Sequence, residues 1–454
     1  MSTKAGGPET HQAGWALLSL HSKQSLGMTM KKITSLFLAA GMVVAASAPA
    51  SAVDIKVDGE YQLSFQTGQT GFTGENQEGF MHRMRLGLTM TASENLSAYA
   101  QFQLNDGNAW GNTTQHGVTG EDNDITARQL YLDWTVPGTS LQVRMGRFEL
   151  GLPADAFGGN AALCAGYGSR EGIVVASPVT DWLGLSAMWA RTGTDTETDL
   201  DKNHTDDFYA VTADLKFEGI SGSVWGAYAT LDGETSIENE HNFANYEAGK
   251  AWWVGFTSTM SFFDPFTLAL SAGYGKFESD VDSANDQDGW NVQAKASYTL
   301  DFGSPVLGAW YFSGDDKDDN GIMPSLGGYF TPTRTYHDAA AGLNGGVNAF
   351  LPSGNWGVQA GIEGVSFLEN LSHDFLVTYI KGTNDKDVAG LADKDATYLT
   401  EDDSLVSFDL ISTYEIYKNL AADLELSYII NDFASERGMS EDDWRAELTF
   451  TYAF

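Results

Sequence analysis

From Ile55 onward the chain repeats one pattern: segments of about ten residues in which apolar and polar side chains alternate, the period of a strand with two different surroundings. In the first segment Ile55, Val57, Tyr61, Leu63 and Phe65 share one parity, and Lys56, Asp58, Glu60, Gln62, Ser64 and Gln66 the other. Phe80, Met84, Leu86, Leu88 and Met90 likewise oppose Met81, Arg83, Arg85, Gly87 and Thr89. Near the end Leu420, Ala422, Leu424, Leu426, Tyr428 and Ile430 oppose Ala421, Asp423, Glu425, Ser427 and Ile429. Helical spacing is missing almost throughout, so the pattern predicts an all-β chain.

The connections sort into two kinds in strict alternation. Ser93-Glu94-Asn95, Pro137-Gly138-Thr139, Asp264-Pro265, Phe302-Gly303-Ser304 and Lys418-Asn419 are short, whereas those near 105–123, 192–206, 231–249, 314–353 and 383–402 are long. A soluble sandwich also alternates apolar and polar positions, but it has no reason to lengthen every second connection. An antiparallel transmembrane β-barrel has that asymmetry, with short periplasmic turns and long outer loops. Trp134, Trp182, Trp290, Trp444 and Tyr452 mark strand ends on the apolar parity, as interfacial girdles do. Pairing the segments predicts about 18 strands and nine outer loops, with 16 strands as the alternative on the even-number rule. Residues 339–350 read either as one more weak strand or as part of a large loop. A barrel this wide cannot be filled by side chains and encloses an aqueous channel.

The N-terminal region supplies an export address. Lys31 and Lys32 precede the apolar run Ile33 to Ala46, and Ala50-Ser51-Ala52 offers a signal-peptidase site, so residues 28–52 read as a signal peptide cleaved before Val53. The run is shorter than a spanning helix needs. Residues 1–27 precede a complete signal and read as a misassigned upstream extension, leaving 53–454 as a single transmembrane β-barrel domain in a cell outer membrane.

Charge and composition narrow the class. With 25 Lys and Arg against 61 Asp and Glu the formal net charge is -36, which argues against nucleic acid as a partner, since phosphate binding needs clustered cations. The single Cys, Cys164, permits no intrachain disulfide. Stability must come from backbone pairing.

The last segment, with Trp444, Ala446, Leu448, Phe450, Tyr452 and Phe454 alternating on one face, resembles the terminal signal read by the barrel assembly machinery. Over residues 80–172 the chain resembles a trimeric general porin: RLGL at Arg85 to Leu88, ARQLYLDW at Ala127 to Trp134, VRMGR at Val143 to Arg147, and LPADAFGGN at Leu152 to Asn160, which is similar to the inward-folded third loop. Overall it most resembles the homotrimeric outer-membrane porins of sulfate-reducing bacteria. The resemblance implies a homotrimer and an eyelet in which basic wall residues face acidic groups on the loop. Arg83, Arg85 and Arg144 fall on the polar parity and suit the wall; Asp155 is the loop carboxylate. Arg128 shares parity with Leu130, Leu132 and Trp134, so strict alternation turns it outward unless a bulge intervenes. Arg147 shares parity with Val143 and Met145, although it lies where the strand gives way to the loop; Arg128 and Arg147 are the weaker eyelet candidates. The loop also carries ADAF where the family has a single Glu.

Other chemistry is sparse. Asp316, Asp318, Asn320 and Gly321 open like a calcium loop, but the twelfth position is Gly327 rather than Glu and Pro324 follows, so a solvated acidic loop is the competing reading. Cys164 lies among small residues as a packed thiol would. His82, His204, His241, His337 and His373 lack metal-ligand spacing, and HExxH, P-loop and GxSxG motifs are missing. No cofactor is implied. The reading is a passive channel for small hydrophilic solutes, seated in outer-membrane lipid and lipopolysaccharide. A substrate-specific channel, which 18 strands and a lumen aromatic track from Tyr99 and Tyr131 would favour, is the alternative; a barrel-borne hydrolase or an adhesin is the reading from another class. Acidic loops favour cations at the mouth and lumen arginines favour anions at the eyelet, so the channel leans slightly toward anions or weak selectivity.

Overall fold

The computed structural model describes residues 53–69, 76–104, 125–163, 168–194, 205–231, 248–280, 286–316, 320–326, 354–387, 399–433 and 442–454. Among them the chain forms β1 (Asp54–Gln69), β2 (Asn76–Ser93), β3 (Leu96–Leu104), β4 (Ile125–Thr135), β5 (Gln142–Glu149) and β6 (Ser169–Thr180). There follow β7 (Leu183–Thr194), β8 (Thr205–Phe217), β9 (Ile220–Leu231), β10 (Gly249–Phe263), β11 (Phe266–Ser279) and β12 (Gln287–Tyr298). The last six are β13 (Ser304–Phe312), β14 (Asn355–Leu368), β15 (Leu371–Gly382), β16 (Ser404–Tyr417), β17 (Leu420–Asp432) and β18 (Asp443–Ala453).

Every strand pairs antiparallel with its sequence neighbours, and β1 closes on β18 to give an 18-stranded barrel. Closure removes both sheet edges, which otherwise leave unpaired backbone groups in hydrocarbon. At the seam Gly59 N–H donates to the Phe454 carbonyl and Phe454 N–H to the Gly59 carbonyl, each at 2.9 Å. The count is therefore 18 and not 16. The ring closes without residues 339–350, which lie outside the described residues, as do the signal segment and residues 1–27.

The expected alternation holds on the outer face. Val211 is 60 % exposed and Leu307 62 %, values that water would penalise at about 25 cal/mol per Å² and that hydrocarbon does not. Trp134, Trp182, Trp290 and Tyr452 are all exposed on this face.

Inside, the simple apolar-out rule fails over part of the circumference. Phe208, Trp225, Trp253, Phe277, Trp310 and Phe312 project inward from β8 to β13 and are buried. Two chain segments cover them: residues 150–163 after β5, and residues 320–326 after β13. Leu150, Leu152, Ala162, Leu163, Met323 and Leu326 join those rings in one hydrophobic core. The wall of β1 to β3 and β16 to β18 is instead mainly polar, with Ser64, Gln66, Arg83, Arg85, Gln103, Asp409, Ser427 and Glu447 buried on it. The interior is thus two-sided, with the folded-in segments packed against the apolar side.

Candidate pore constriction

The inward loop starts where β5 ends. Leu150 N–H meets the Gly168 carbonyl at 3.4 Å, narrowing the loop's neck. Beyond it, Asp155 organises a tight turn: its Oδ1 accepts the N–H groups of Phe157 at 2.9 Å and Gly159 at 3.1 Å. Its Oδ2 accepts from Gln293 Nε2 on β12 at 2.9 Å. Ala156 N–H donates to Ser271 Oγ on β11 at 3.1 Å. The loop therefore spans from β5 to the wall of β11 to β13. Burial pushes the Asp155 carboxyl above its ordinary value, and the Gln293 and backbone donors oppose that shift.

Packing completes the anchorage. The Phe157 ring meets Trp310 edge-on, centroids 5.2 Å apart, directly over Gly308, where a Cβ would come within 2.7 Å of the ring. Only glycine leaves that space open. Buried Asn160 ties the loop to itself, donating to the Pro153 carbonyl at 2.8 Å and accepting from Ala162 and Leu163 N–H at 3.0 and 3.3 Å.

The second segment locks onto the first. Leu163 and Leu326 form a parallel bridge, with Leu326 N–H donating to the Ala162 carbonyl at 3.0 Å. Trp253 Nε1 donates to the Pro324 carbonyl at 2.7 Å. At Gly289 a Cβ would lie 2.3 Å from Met323 N, so glycine is again what admits the close approach. Sequence parity missed Phe157, Trp253, Gln293 and Trp310. The available signal was tryptophan on the inward parity, which an empty aqueous lumen does not call for.

On the opposite wall Arg83 and Arg85 project inward, both buried. Arg83 Nη2 donates to Gln62 Oε1 at 3.1 Å, and Arg85 Nε to Gln103 Oε1 at 2.9 Å. Arg128 joins them, against strict alternation, because the pairing of β3 with β4 slips between Gln101 and Phe102. The bulge gives β4 one extra residue, and Arg128 reaches Gln101 Oε1 at 2.9 Å and Glu149 at 3.3 Å. Gln101 in turn donates to the lumen hydroxyl of Tyr99 at 3.2 Å.

Arg144 also faces inward but elsewhere. It forms a two-pronged pair with Asp133 at 2.7 and 2.9 Å and lies 4.0 Å over the Tyr131 ring. Through the register, Asp133 stands opposite Ser97 while Arg85 stands opposite Gln103. Those positions on β3 are separated by about 20 Å along the strand at roughly 3.4 Å per residue, with Arg144 toward the short-turn rim. It does not share a level with Arg83 and Arg85.

Arg147, a weaker candidate for the eyelet, follows its parity and drops out of it. It stands in register with Leu130, which is 56 % exposed on the outer face, and pairs with Glu171 at 2.7 Å. It is not a lumen residue, because the strand keeps its alternation to that point. Tyr99 and Tyr131 lie together on the lumen wall with centroids 5.3 Å apart. His82 lies beside Tyr61, its Nδ1 3.4 Å from the hydroxyl, and His373 Nδ1 lies 2.8 Å from Ser412 Oγ. Cys164, Asp318, His204, His241 and His337 fall outside the described residues. Asn320 is described; its carbonyl accepts from Asp288 N–H at 3.2 Å. Among the described residues no group of three His, Cys, Asp or Glu could hold a metal ion.

A wide closed barrel with loops pinned across its bore is the geometry of a channel. The sequence model of one family, described as Gram-negative porin, matches residues 38–362, more than half of the chain. The chain belongs to the Gram-negative porins. No curated protein matches it. Among solved structures, the porin is similar to OpdL of Pseudomonas aeruginosa, with TM-score 0.57 and 14 % identity over 88 % of this chain and 99 % of that one. OpdK of the same organism gives TM-score 0.56 and 14 % identity over 88 % and 98 %, and OccK8 (OprE) 0.55 and 14 % over the same shares. At these identities the likeness is one of fold: outer-membrane barrels of the same build. Family and fold together make the porin a channel protein of the outer membrane.

Proposed function

We propose that the porin is a passive channel for small hydrophilic solutes whose wall arginines bias it toward anions. The observation that carries this is the convergence of Arg83, Arg85 and Arg128 on one side of the lumen, while the anchored loop narrows the other. A guanidinium in a confined, low-dielectric passage attracts anions more strongly than the same group in open solution. Asp155, its oxygens taken by the loop turn and Gln293, holds the loop in place and adds little free acceptor surface to the passage. The acidic outer loops act at the mouth, where they enrich cations, and weaken the net bias.

Reversal potential across a planar bilayer in a salt gradient tests the reading. A shift of the anionic sign is expected. A strongly cation-selective channel would end the arginine assignment, and a protein that gives no conductance steps would end the channel reading itself.

A substrate-specific channel is the second reading, favoured by the 18 strands and by the Tyr99 and Tyr131 rings beside Arg144 on the lumen wall. Saturable flux for one solute class in loaded liposomes would select it. We also propose a homotrimer with affinity to the porins of sulfate-reducing bacteria, each barrel being inserted by the barrel assembly machinery, which reads the strand that ends in Phe454. Mass measurement of unheated, detergent-extracted protein tests that state, and a monomer throughout would refute it.

A further inference from the structure

Toward the short-turn rim the polar wall of the lumen carries two aromatic rings set among carboxylates, a composition that an arginine-lined passage does not call for. Tyr99 on β3 and Tyr131 on β4 stand opposite each other in register, and both are half-buried. The Arg144 guanidinium covers one face of Tyr131, and the ring packs against the edge of the hydrophobic core. Tyr99 reaches across to β2, where a Cβ on Gly87 would meet its hydroxyl oxygen and Asp58 Oδ2, each at 2.7 Å. Asp58 comes from β1, in register with Gly87, and is exposed. Gly87 lies two residues from Arg85, about 7 Å along β2. The cluster therefore begins just below the arginines and runs down to Asp133 and Arg144.

Its charges do not suit an anion. Both prongs of Arg144 are engaged with Asp133, at 2.7 and 2.9 Å, and a ligand carboxylate or phosphate would face two aspartates at close range. A cation would meet Arg144. A neutral polyhydroxylated ring meets neither objection. Its hydroxyls donate to carboxylate oxygens, and its C–H face covers aromatic surface that otherwise stands in water at about 25 cal/mol per Å².

We propose that Asp58, Tyr99, Tyr131 and Asp133 form a subsite for a neutral sugar on the periplasmic side of the arginines. The sugar ring packs on the tyrosines, and the two aspartates accept its hydroxyls. Gln101 Nε2 donates to the Tyr99 hydroxyl oxygen at 3.2 Å, which leaves the phenolic proton to be donated to Asp58 or to a sugar oxygen. A site built to bond hydroxyls rejects solutes that lack them. The inference deepens the substrate-specific reading and rests on it, whereas the anion bias rests on Arg83, Arg85 and Arg128, so either can fail alone.

The test is saturation-transfer NMR of glucose with the full-length mature porin in a sugar-free detergent, which reads binding without requiring conductance. Transfer to the C–H protons of glucose should saturate with concentration. Tyr99→Ala and Asp58→Asn should each raise the half-saturating concentration about tenfold, as loss of a hydrogen bond to a charged group does. Leu132→Ala, on the lipid-facing parity, should leave it unchanged, and open-chain sorbitol should bind more weakly than glucose. Absence of saturable transfer overturns the proposal, as does equal binding by native protein and both variants. Tighter binding of glucuronate than of glucose would also overturn it, by assigning the sugar to the arginines. If Tyr99→Ala loses heat-modifiable migration, Tyr99→Phe replaces it and must weaken binding, and a failure to do so is equally fatal. Conductance of the same preparation separates the readings: a porin that conducts without binding glucose loses the subsite and keeps its passive channel, and one that binds without conducting does the reverse.

Discussion

Asp155 and Gln293 meet at 2.9 Å across the bore of the barrel, one on the loop that leaves β5 and the other on β12. The amide of Gln293 donates through Nε2, while its Oε1 is buried without a partner. A glutamine in that position can turn over and accept from a protonated carboxyl as readily as it now donates to an ionised one.

That geometry gives a pH dependence with a definite sign. Burial raises the folded-state pKa of Asp155 above its ordinary 3.8. The protonated form is favoured by folding, so its contribution is fully present below the unfolded value and is lost as pH rises through the raised folded one. Loop docking should loosen, and single-channel flicker increase, as pH rises from the ordinary value of 3.8 through the raised folded one. Asp155→Asn keeps the Oδ1 turn and cannot ionise, so its flicker should be flat over that range. A native channel with no change in flicker would show that this carboxyl does not control the loop.

Truncating Phe157 should release the loop without disturbing the barrel. The ring is only partly covered, so Phe157→Ala should weaken docking by about 2–3 kcal/mol, below the cost of a fully buried Phe. Single-channel conductance should rise while barrel melting stays near the native value. Gly308→Val should reproduce the effect from the wall side, because the added carbons occupy the space of the ring. Unchanged conductance in both variants would mean that the loop does not limit the passage.

The barrel itself was legible from the chain because one repeated physical demand, a strand between lipid and lumen, writes the same period into every segment. Turn asymmetry then set the strand number, which β1 to β18 fulfil. The site was less legible, for reasons that differ by residue. Arg83 and Arg85 followed from parity alone. Arg128 did not, because a bulge inserts one residue and resets the phase. Arg147 stayed outward because nothing resets it. The anchoring partners of the loop, Gln293 and Trp310, lie far from Asp155 and Phe157 in sequence, and no local pattern encodes which inward residues a folded-in loop will touch.

The bulge makes a chemical prediction that strict alternation contradicts. In a Cys164→Ala background, Arg128→Cys should react with a charged, water-soluble thiol reagent added to open channels, and conductance should fall as it does. Leu130→Cys, two residues on and outward-facing, should resist that reagent and react with a membrane-soluble one. The reverse labelling would mean that the slip between Gln101 and Phe102 does not turn Arg128 into the lumen.

Two arginines on opposite faces give the sharpest test of what sets selectivity. Arg85 points into the lumen against Gln103, and Arg147 points outward against Glu171. Arg85→Glu and Arg147→Glu change the formal charge equally, so any effect of net charge is common to both. A charge at the passage acts at short range on the permeating ion, whereas one on the outer face is separated from it by the sheet and screened by salt within about 8 Å at physiological ionic strength. Arg85→Glu should therefore move the reversal potential toward cations, and Arg147→Glu should leave it where it was. Equal shifts in the two variants would locate selectivity in overall charge; no shift in either would remove the arginine wall from the conduction path.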